Sequence, residues 1–350
     1  AKGDIRVNGL DAKARDGIYW NEDVYNEIDR TVNANTPVFR NVDYPITSAK
    51  YASLIRQVTD GIGQTKSQTV WYYGDAINAA IADANAEGGG RVVVPAGASQ
   101  NADGAYYSGA IRLLSNVNLH IDTGATSRFV RNPTNDDYPL VLTSYQGSDF
   151  YNYSPPVYAL GQTNIGLTGG GTLDAQYNIG NWRLPAGVPG AVSGSNAVLN
   201  DLDYRHVPNE QRIFSADGSM PATIPVIVGN TVQDLAPPPG AKAYKTTFTP
   251  QFVEFNHSSN ILIEGLNVIN SLFWQVHPLS SQNILIRNLN VYDTAHLTDD
   301  GIDPESCTNV VMESNSVTVR DDGTAIKSGR NLDGRYRDPR QNLIIRNSTF

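Results

Sequence analysis

Asn260-Ile-Leu-Ile-Glu-Gly-Leu266 and Asn283-Ile-Leu-Ile-Arg-Asn-Leu289 carry the same phrase: an asparagine, an apolar run, a charged residue and a polar turn. The phrase returns as Asn116-Val-Asn-Leu-His-Ile121, Asn164-Ile-Gly-Leu167, Asn309-Val-Val-Met-Glu-Ser314 and Asn342-Leu-Ile-Ile-Arg-Asn-Ser348. Its successive separations are 48, 96, 23, 26 and 33 residues. A unit of this size cannot bury an apolar face alone, so neighbouring units have to stack. Each reads as about three short strands with the asparagine at a bend. The last three separations suit one coil each, the first has room for two, and the 96-residue gap must contain something more. The expected fold is all-β, a right-handed parallel β-helix. A sandwich would instead show Asn-Gly hairpin signals and no repeated phrase.

The rest of the composition agrees with a solenoid rich in corners. Of 350 residues, 31 are Gly, 19 Pro and 18 Tyr, against 2 Met and 1 Cys, while 40% are apolar and 17% charged. Such a chain folds into a large core and is poor in helix. A formal charge of −9 argues against nucleic acid held by overall basicity. No stretch reaches the ~20 apolar residues of a membrane span. Cys307 has no intrachain partner, which removes disulfide scaffolds and Cys-rich zinc sites. Ala1-Lys2-Gly3-Asp4 does not read as a secretory leader, which suits either a cytosolic chain or a mature secreted one.

Ala76, Ile77, Ala80, Ile81 and Ala84 recur at helical spacing, with Asp75 as expected N-cap and Gly88-Gly-Gly90 as stop. A short helix here, just before the strand Arg91-Val-Val-Val-Pro95, would cap the N-terminal end of the solenoid and cover its strand edges. Residues 1–70 carry no repeat and read as an extension of unclear structure; residues 71–350 read as the β-helix domain. Within it, 183–245 hold eight prolines, Pro185, Pro189, Pro208, Pro221, Pro225, Pro237, Pro238 and Pro239. This segment is expected to be an excursion from the solenoid, either bordering a binding site or serving as plain surface.

Two acidic strings stand one coil apart, His296-Leu-Thr-Asp-Asp-Gly-Ile-Asp-Pro-Glu-Ser-Cys307 and Arg320-Asp-Asp-Gly-Thr-Ala-Ile-Lys-Ser-Gly-Arg330. Stacking would put Asp300 beside Asp321 and Asp322, and like charges so close raise the pKa of at least one. A protonated carboxyl next to ionised ones is what glycoside hydrolysis needs: one acid for the leaving oxygen, one carboxylate for water. In inverting enzymes the two lie roughly 6.5–9.5 Å apart. A diagonal across one coil step of about 4.8 Å can supply that spacing. Asp-Gly pairs also make plain turns, and Asp299, Asp300, Asp303 and Glu305 offer the hard oxygens that calcium takes, though not at EF-hand spacing.

These residues resemble glycoside hydrolase family 28, the polygalacturonases. Asp300-Gly-Ile-Asp-Pro-Glu-Ser306 and Asp321-Asp-Gly-Thr-Ala-Ile-Lys-Ser-Gly329 are similar to the family's two acidic motifs. Gly88-Gly-Gly-Arg-Val-Val-Val-Pro-Ala-Gly97, Gly169-Gly-Gly-Thr-Leu-Asp174 and Phe273-Trp-Gln-Val-His-Pro278 extend the likeness. Lys327-Ser-Gly-Arg-Asn-Leu-Asp-Gly-Arg335 looks most like the exo-acting branch. The resemblance implies a pectin-lyase-like solenoid and an inverting hydrolase of α-1,4-linked galacturonate, with Asp321 as general acid and Asp300 with Asp322 activating water. It implies no cofactor and no metal, a pectic polymer or oligogalacturonide as partner, a monomer, and a secreted or periplasmic location. Thr298-Asp299 stands where the family has Asn-Thr, and is expected still to shape the corner. The family's later Gly-His-Gly and Arg-Ile-Lys motifs are absent, so the sequence is expected to stop inside the solenoid.

A galacturonate substrate needs cations. Residues 320–346 hold seven (Arg320, Lys327, Arg330, Arg335, Arg337, Arg340 and Arg346) against four acids (Asp321, Asp322, Asp333 and Asp338). Lys327 and Arg330 are the expected carboxylate contacts, and Trp274 and His277, one coil earlier, the expected lining of the same face. A calcium-dependent pectate or polysaccharide lyase and a non-catalytic carbohydrate-binding β-helix are the alternatives.

Overall fold

A computed structural model describes residues 6–7, 10–11, 22–62, 66–132, 134–177, 196–294, 298–337 and 341–350. The repeated phrase forms one wall of a parallel β-helix. Asp43–Pro45, Gly90–Val94, Val117–Ile121, Thr163–Gly169, Ser259–Glu264, Gln282–Arg287, Thr308–Glu313 and Gln341–Arg346 pair in parallel as one eight-stranded sheet. A second eight-stranded sheet runs from Arg56–Asp60 to Ser316–Thr318. A third holds Ile111–Arg112, Val157–Leu160, Val253–Asn256 and Val276–Leu279, continued by bridges through Ile302 and Glu305 to Thr324 and Lys327.

The six phrase asparagines hold the wall in register. Asn116, Asn164, Asn260, Asn283, Asn309 and Asn342 all have φ between 56° and 65°, a left-handed corner that asparagine tolerates better than most residues. Each amide Nδ2 donates to the Oδ1 of the preceding one, over 3.1, 2.9, 3.0, 3.0 and 2.9 Å along the stack. The ladder satisfies side chains that the corner half-buries. It also fixes the coil count: Asn116 and Asn164 touch, so the 48-residue separation contains one coil and not two. That coil instead carries a hairpin, Leu140–Tyr145 with Ser148–Tyr153. Asn164 and Asn260 also touch, so the whole 96-residue gap is one coil plus its excursion.

Inward residues of the phrase, such as Ile261, Ile263, Ile284, Ile286, Val310 and Met312, fill the core. The middle apolar position points outward, where Leu262, Leu285, Val311 and Ile344 would meet water. A helix, α1 (Glu22–Asn35), lies across them with Ile28 and Val32, and Arg346 ties it down through Asp29 at 2.8 Å and Tyr25 at 2.6 Å. In earlier coils the outward position is Asn118 or Gly166, and the Phe39 ring lies so close to Gly166 that a Cβ there would stand 2.7 Å from it.

The second helix, α2 (Gly74–Ala86), buries the five predicted residues. Its N-cap is Tyr73 rather than Asp75, whose carboxylate instead accepts from Arg56 at 2.9 Å. The sheets begin before residue 71, because Asp43–Pro45 extends the first sheet and Arg56–Asp60 with Gln68–Tyr72 extends the second. Between coils the chain comes very close at Gly169, where φ is +126° and a Cβ would stand 1.9 Å from the Ile121 carbonyl oxygen; only glycine fits there.

The described part of the excursion packs on the hairpin. Arg212–Ser215 and Lys242–Lys245 join it as a four-stranded sheet. Helix α3 (Asn196–Tyr204) adds Leu199 and Leu202 to a small separate core with Phe150, Phe214 and Phe248. Pro185 and Pro189 lie outside the described residues. Among the described residues no helix is long and apolar enough to cross a membrane.

Candidate active site

The acidic strings form stacked corners leading into the third sheet. Ile302 pairs with Thr324 and Glu305 with Lys327, a register that sets Asp300 over Asp322 and Asp299 over Asp321. Gly301 N donates to Asp322 O at 2.9 Å. The buried Asp299 carboxylate accepts from Arg320 N at 3.2 Å and Asp321 N at 3.0 Å. Thr298-Asp299 thus shapes the next corner through a side chain, and Asp321 leaves it pointing into solvent.

Asp321 and Asp322 are exposed while Asp300 is 3% exposed. Partial loss of water and the neighbouring charges of Asp300 and Asp322 push the Asp321 carboxyl above its ordinary range. A fourth carboxylate is present that the sequence offered only as a calcium ligand. Asp303 is fully buried, its Oδ1 accepts from Ala325 N at 2.8 Å, and burial drives its pKa well up. Lys327 lies among them, with Nζ 2.8 Å from Asp300, 3.1 Å from Asp303 and 3.9 Å from the centre of the Trp274 ring.

Two expected substrate contacts are engaged inside the protein. His277 is fully buried, with Nδ1 3.0 Å from Glu254 and Nε2 2.9 Å from Glu305. Both ring nitrogens are occupied by protein, so it cannot line the sugar face as expected. Burial opposes its charge, but the two carboxylates win and raise it to about 9. Burial also opposes Glu305, which Arg337 and His277 nonetheless hold down to about 2, whereas Glu254 is raised by burial. Glu305 is therefore the anion matched to the imidazolium. Lys327 is likewise committed to Asp300 and Asp303; its expected grip on a substrate carboxylate becomes a grip on the acids. Trp274, 6% exposed, presents an edge to the cleft and its ring to Lys327.

That cleft, about 480 Å³, lies between the corner stack and the tip of the hairpin, lined by Gln146, Gly147, Trp274, Lys327, Ser328 and Gly329. At Gly147, φ is +90° and Arg330 packs so close that a Cβ would stand 2.9 Å from it. Arg330 N donates to Gly147 O at 2.9 Å, which brings Arg330, half-buried, to the cleft wall.

The wall continues into α4 (Asn331–Tyr336), and the excursion holds it. Buried Arg212 bonds Asp333 with both terminal nitrogens, at 2.6 and 3.0 Å, and donates to Asp149 O at 2.9 Å. Asp203 accepts from Asp333 N at 2.9 Å and Asn331 Nδ2 at 3.2 Å. Arg337 bridges Glu305 of the third sheet and Asp149 of the hairpin. Burial raises Asp149 to about 6 in spite of this arginine. Sequence reasoning missed Arg212, Asp333 and Arg337 as a clamp, and nothing in their local sequence marks the pairing.

Half of the described cations of the basic segment are therefore neutralised within the fold. Lys327, Arg337 and Arg346 are all paired with acids. Arg320, Arg330 and Arg335 make no ion pair among the described residues, and Arg340 and His296 lie outside them. The four acids weighed as calcium ligands face different partners: backbone N–H groups, Lys327, and the His277–Arg337 pair. Cys307 is buried, its thiol pushed up to about 12.

The coil corners of this β-helix thus gather Asp300, Asp321 and Asp322 beside a part-buried Lys327. Residues 232–349 match the model of the glycosyl hydrolases family 28. Over 102 residues it is 38% identical to a probable polygalacturonase of Vitis vinifera, covering 29% of this chain and 21% of that one. Over 237 residues it is 25% identical to an endo-polygalacturonase of Pectobacterium carotovorum, covering 66% and 46%. The chain thus spans less than half the length of these two relatives. The solved structure of an exopolygalacturonase from Thermotoga maritima superposes with a TM-score of 0.70 at 27% identity, covering 93% of this chain and 70% of that one.

Proposed function

We propose that the protein is an inverting, exo-acting hydrolase of α-1,4-linked galacturonate. The observation that carries the reading is the pairing of a raised, solvent-facing Asp321 with Asp322 beside it and Asp300 one coil step away. Asp321 delivers its proton to the glycosidic oxygen as the bond to the anomeric carbon breaks. A water held by Asp300 and Asp322 attacks that carbon from the other face and passes its proton to them. Lys327 and Asp303 touch no sugar in this scheme; they orient Asp300. Arg330, at the cleft wall, takes the substrate carboxylate.

Exo action is supported by the hairpin tip and α4 closing one side of the cleft, by the string Lys327 to Arg335, and by the likeness to the Thermotoga exopolygalacturonase. A polymer substrate places the enzyme outside the cytoplasm, secreted or periplasmic.

Replacing Asp321 by Asn should lower turnover about 10²–10⁴-fold, the usual weight of a general acid, while circular dichroism stays unchanged. Proton NMR of the first product should show the inverted anomer, and a time course on polygalacturonate should release monomer from the start. A retained anomer sinks the water-activating roles; early mixed oligomers sink exo action alone.

A further inference from the structure

The third sheet has two edges. Chain entering its strands carries the carboxylate corners; chain leaving them turns at His257, Ser280 and Ser306, stacked in successive coils. All three adopt left-handed φ, at 47°, 47° and 51°. Above this second edge, under the excursion, lies a groove of about 990 Å³, at the top of the range for small-molecule sites, about 300–1,000 Å³. The pair Glu305–Arg337 stands between it and the catalytic cleft.

The groove floor is hydroxylic. Ser259, Ser280, Ser306 and Thr308 line it from consecutive coils. The Ser306 residue is 5% exposed, yet its Oγ has no hydrogen-bond partner among the described residues. A buried hydroxyl left in that state is costly. Tyr336, 71% exposed, lines the rim with its ring centre 4.4 Å from that of His206. The charged lining is Asp149, Glu210 and Arg337, and the arginine is already bonded to Asp149 and Glu305. Among the described lining residues no Lys or Arg is left unpaired for a uronate or a phosphate, and His257 has its Nδ1 2.6 Å from Asn256 Oδ1.

We propose that this groove is a second, non-catalytic carbohydrate site that takes a neutral oligosaccharide. Serine and threonine hydroxyls both donate and accept, which suits the vicinal diols of a sugar, and an exposed tyrosine ring suits its apolar face. A neutral ligand also separates this site chemically from a cleft built for galacturonate.

The test is saturation-transfer NMR and calorimetry on the intact chain with galacto-, gluco-, xylo- and arabinotriose, each to about 10 mM, with trigalacturonate in parallel. At least one neutral trisaccharide should bind saturably. Ser306→Ala should weaken it about fivefold, the weight of one lost hydrogen bond, and Tyr336→Ala should weaken it further. Ser306→Ala should not lower the melting temperature, because it removes an unsatisfied group, and release of galacturonate from trigalacturonate should be unchanged. Saturable binding of none of the four neutral sugars overturns the proposal, as does binding that both variants leave intact. Neither result depends on the chain being a hydrolase, since binding is read directly.

Discussion

Lys327 Nζ stands 2.8 Å from Asp300 and 3.1 Å from Asp303, with the Trp274 ring centre 3.9 Å away. One cation thus compensates two carboxylates that are almost wholly buried, and an aromatic face holds it in place. Lys327→Met should leave both acids uncompensated. Expected is a loss of about 3 kcal/mol in urea unfolding, with turnover falling more than substrate affinity. Lys327→Arg should restore stability only in part, because a planar fork does not fit a point-charge site. A fall in affinity at constant turnover would return Lys327 to the role of a substrate contact.

The asparagine ladder makes a second, separable prediction. Asn283 donates to Asn260 and accepts from Asn309, both at 3.0 Å, at φ 57°. Asn283→Ala removes two bonds of about 1 kcal/mol each and keeps a left-handed corner that alanine resists by about 1 kcal/mol. A loss of about 2–3 kcal/mol at the denaturant midpoint is expected. Asn283→Gly should recover the backbone part alone, and a glycine variant no better than alanine would show that the corner is unstrained.

The buried histidine gives stability a sign with pH. His277 is raised from 6.5 to about 9, so its contribution is full below pH 6.5 and is lost as pH rises through 9. Glu305, held near 2 rather than 4.5, contributes above pH 4.5 and loses that only toward pH 2. Asp149 binds its proton near 6 rather than 3.8, so its ionisation costs stability between those values and ends below the alkaline limb. Other groups facing this network are Thr143, Glu254 and Arg337. Unfolding free energy measured by urea should therefore fall from pH 6.5 to 9 in the native protein and run nearly flat across that range in His277→Gln.

The sequence by itself determined the solenoid, the asparagine at each bend, and the corner that gathers Asp300, Asp321 and Asp322. These are legible because a coil is short: residues that stack lie one repeat apart, so the order of the chain already lists the neighbours. The helix α1 that covers the outward Leu262, Leu285, Val311 and Ile344 was not legible, because it lies in residues 1–70, which carry no repeat. Tertiary structure decided the rest. Arg212 meets Asp333 across 121 positions, and no periodicity relates an excursion to the segment it folds back upon. Whether His277 faces a sugar or two glutamates, and whether Lys327 holds substrate or acid, depends on which elements cover the third sheet, because burial decides which charges must be paired within the protein and which remain for a ligand.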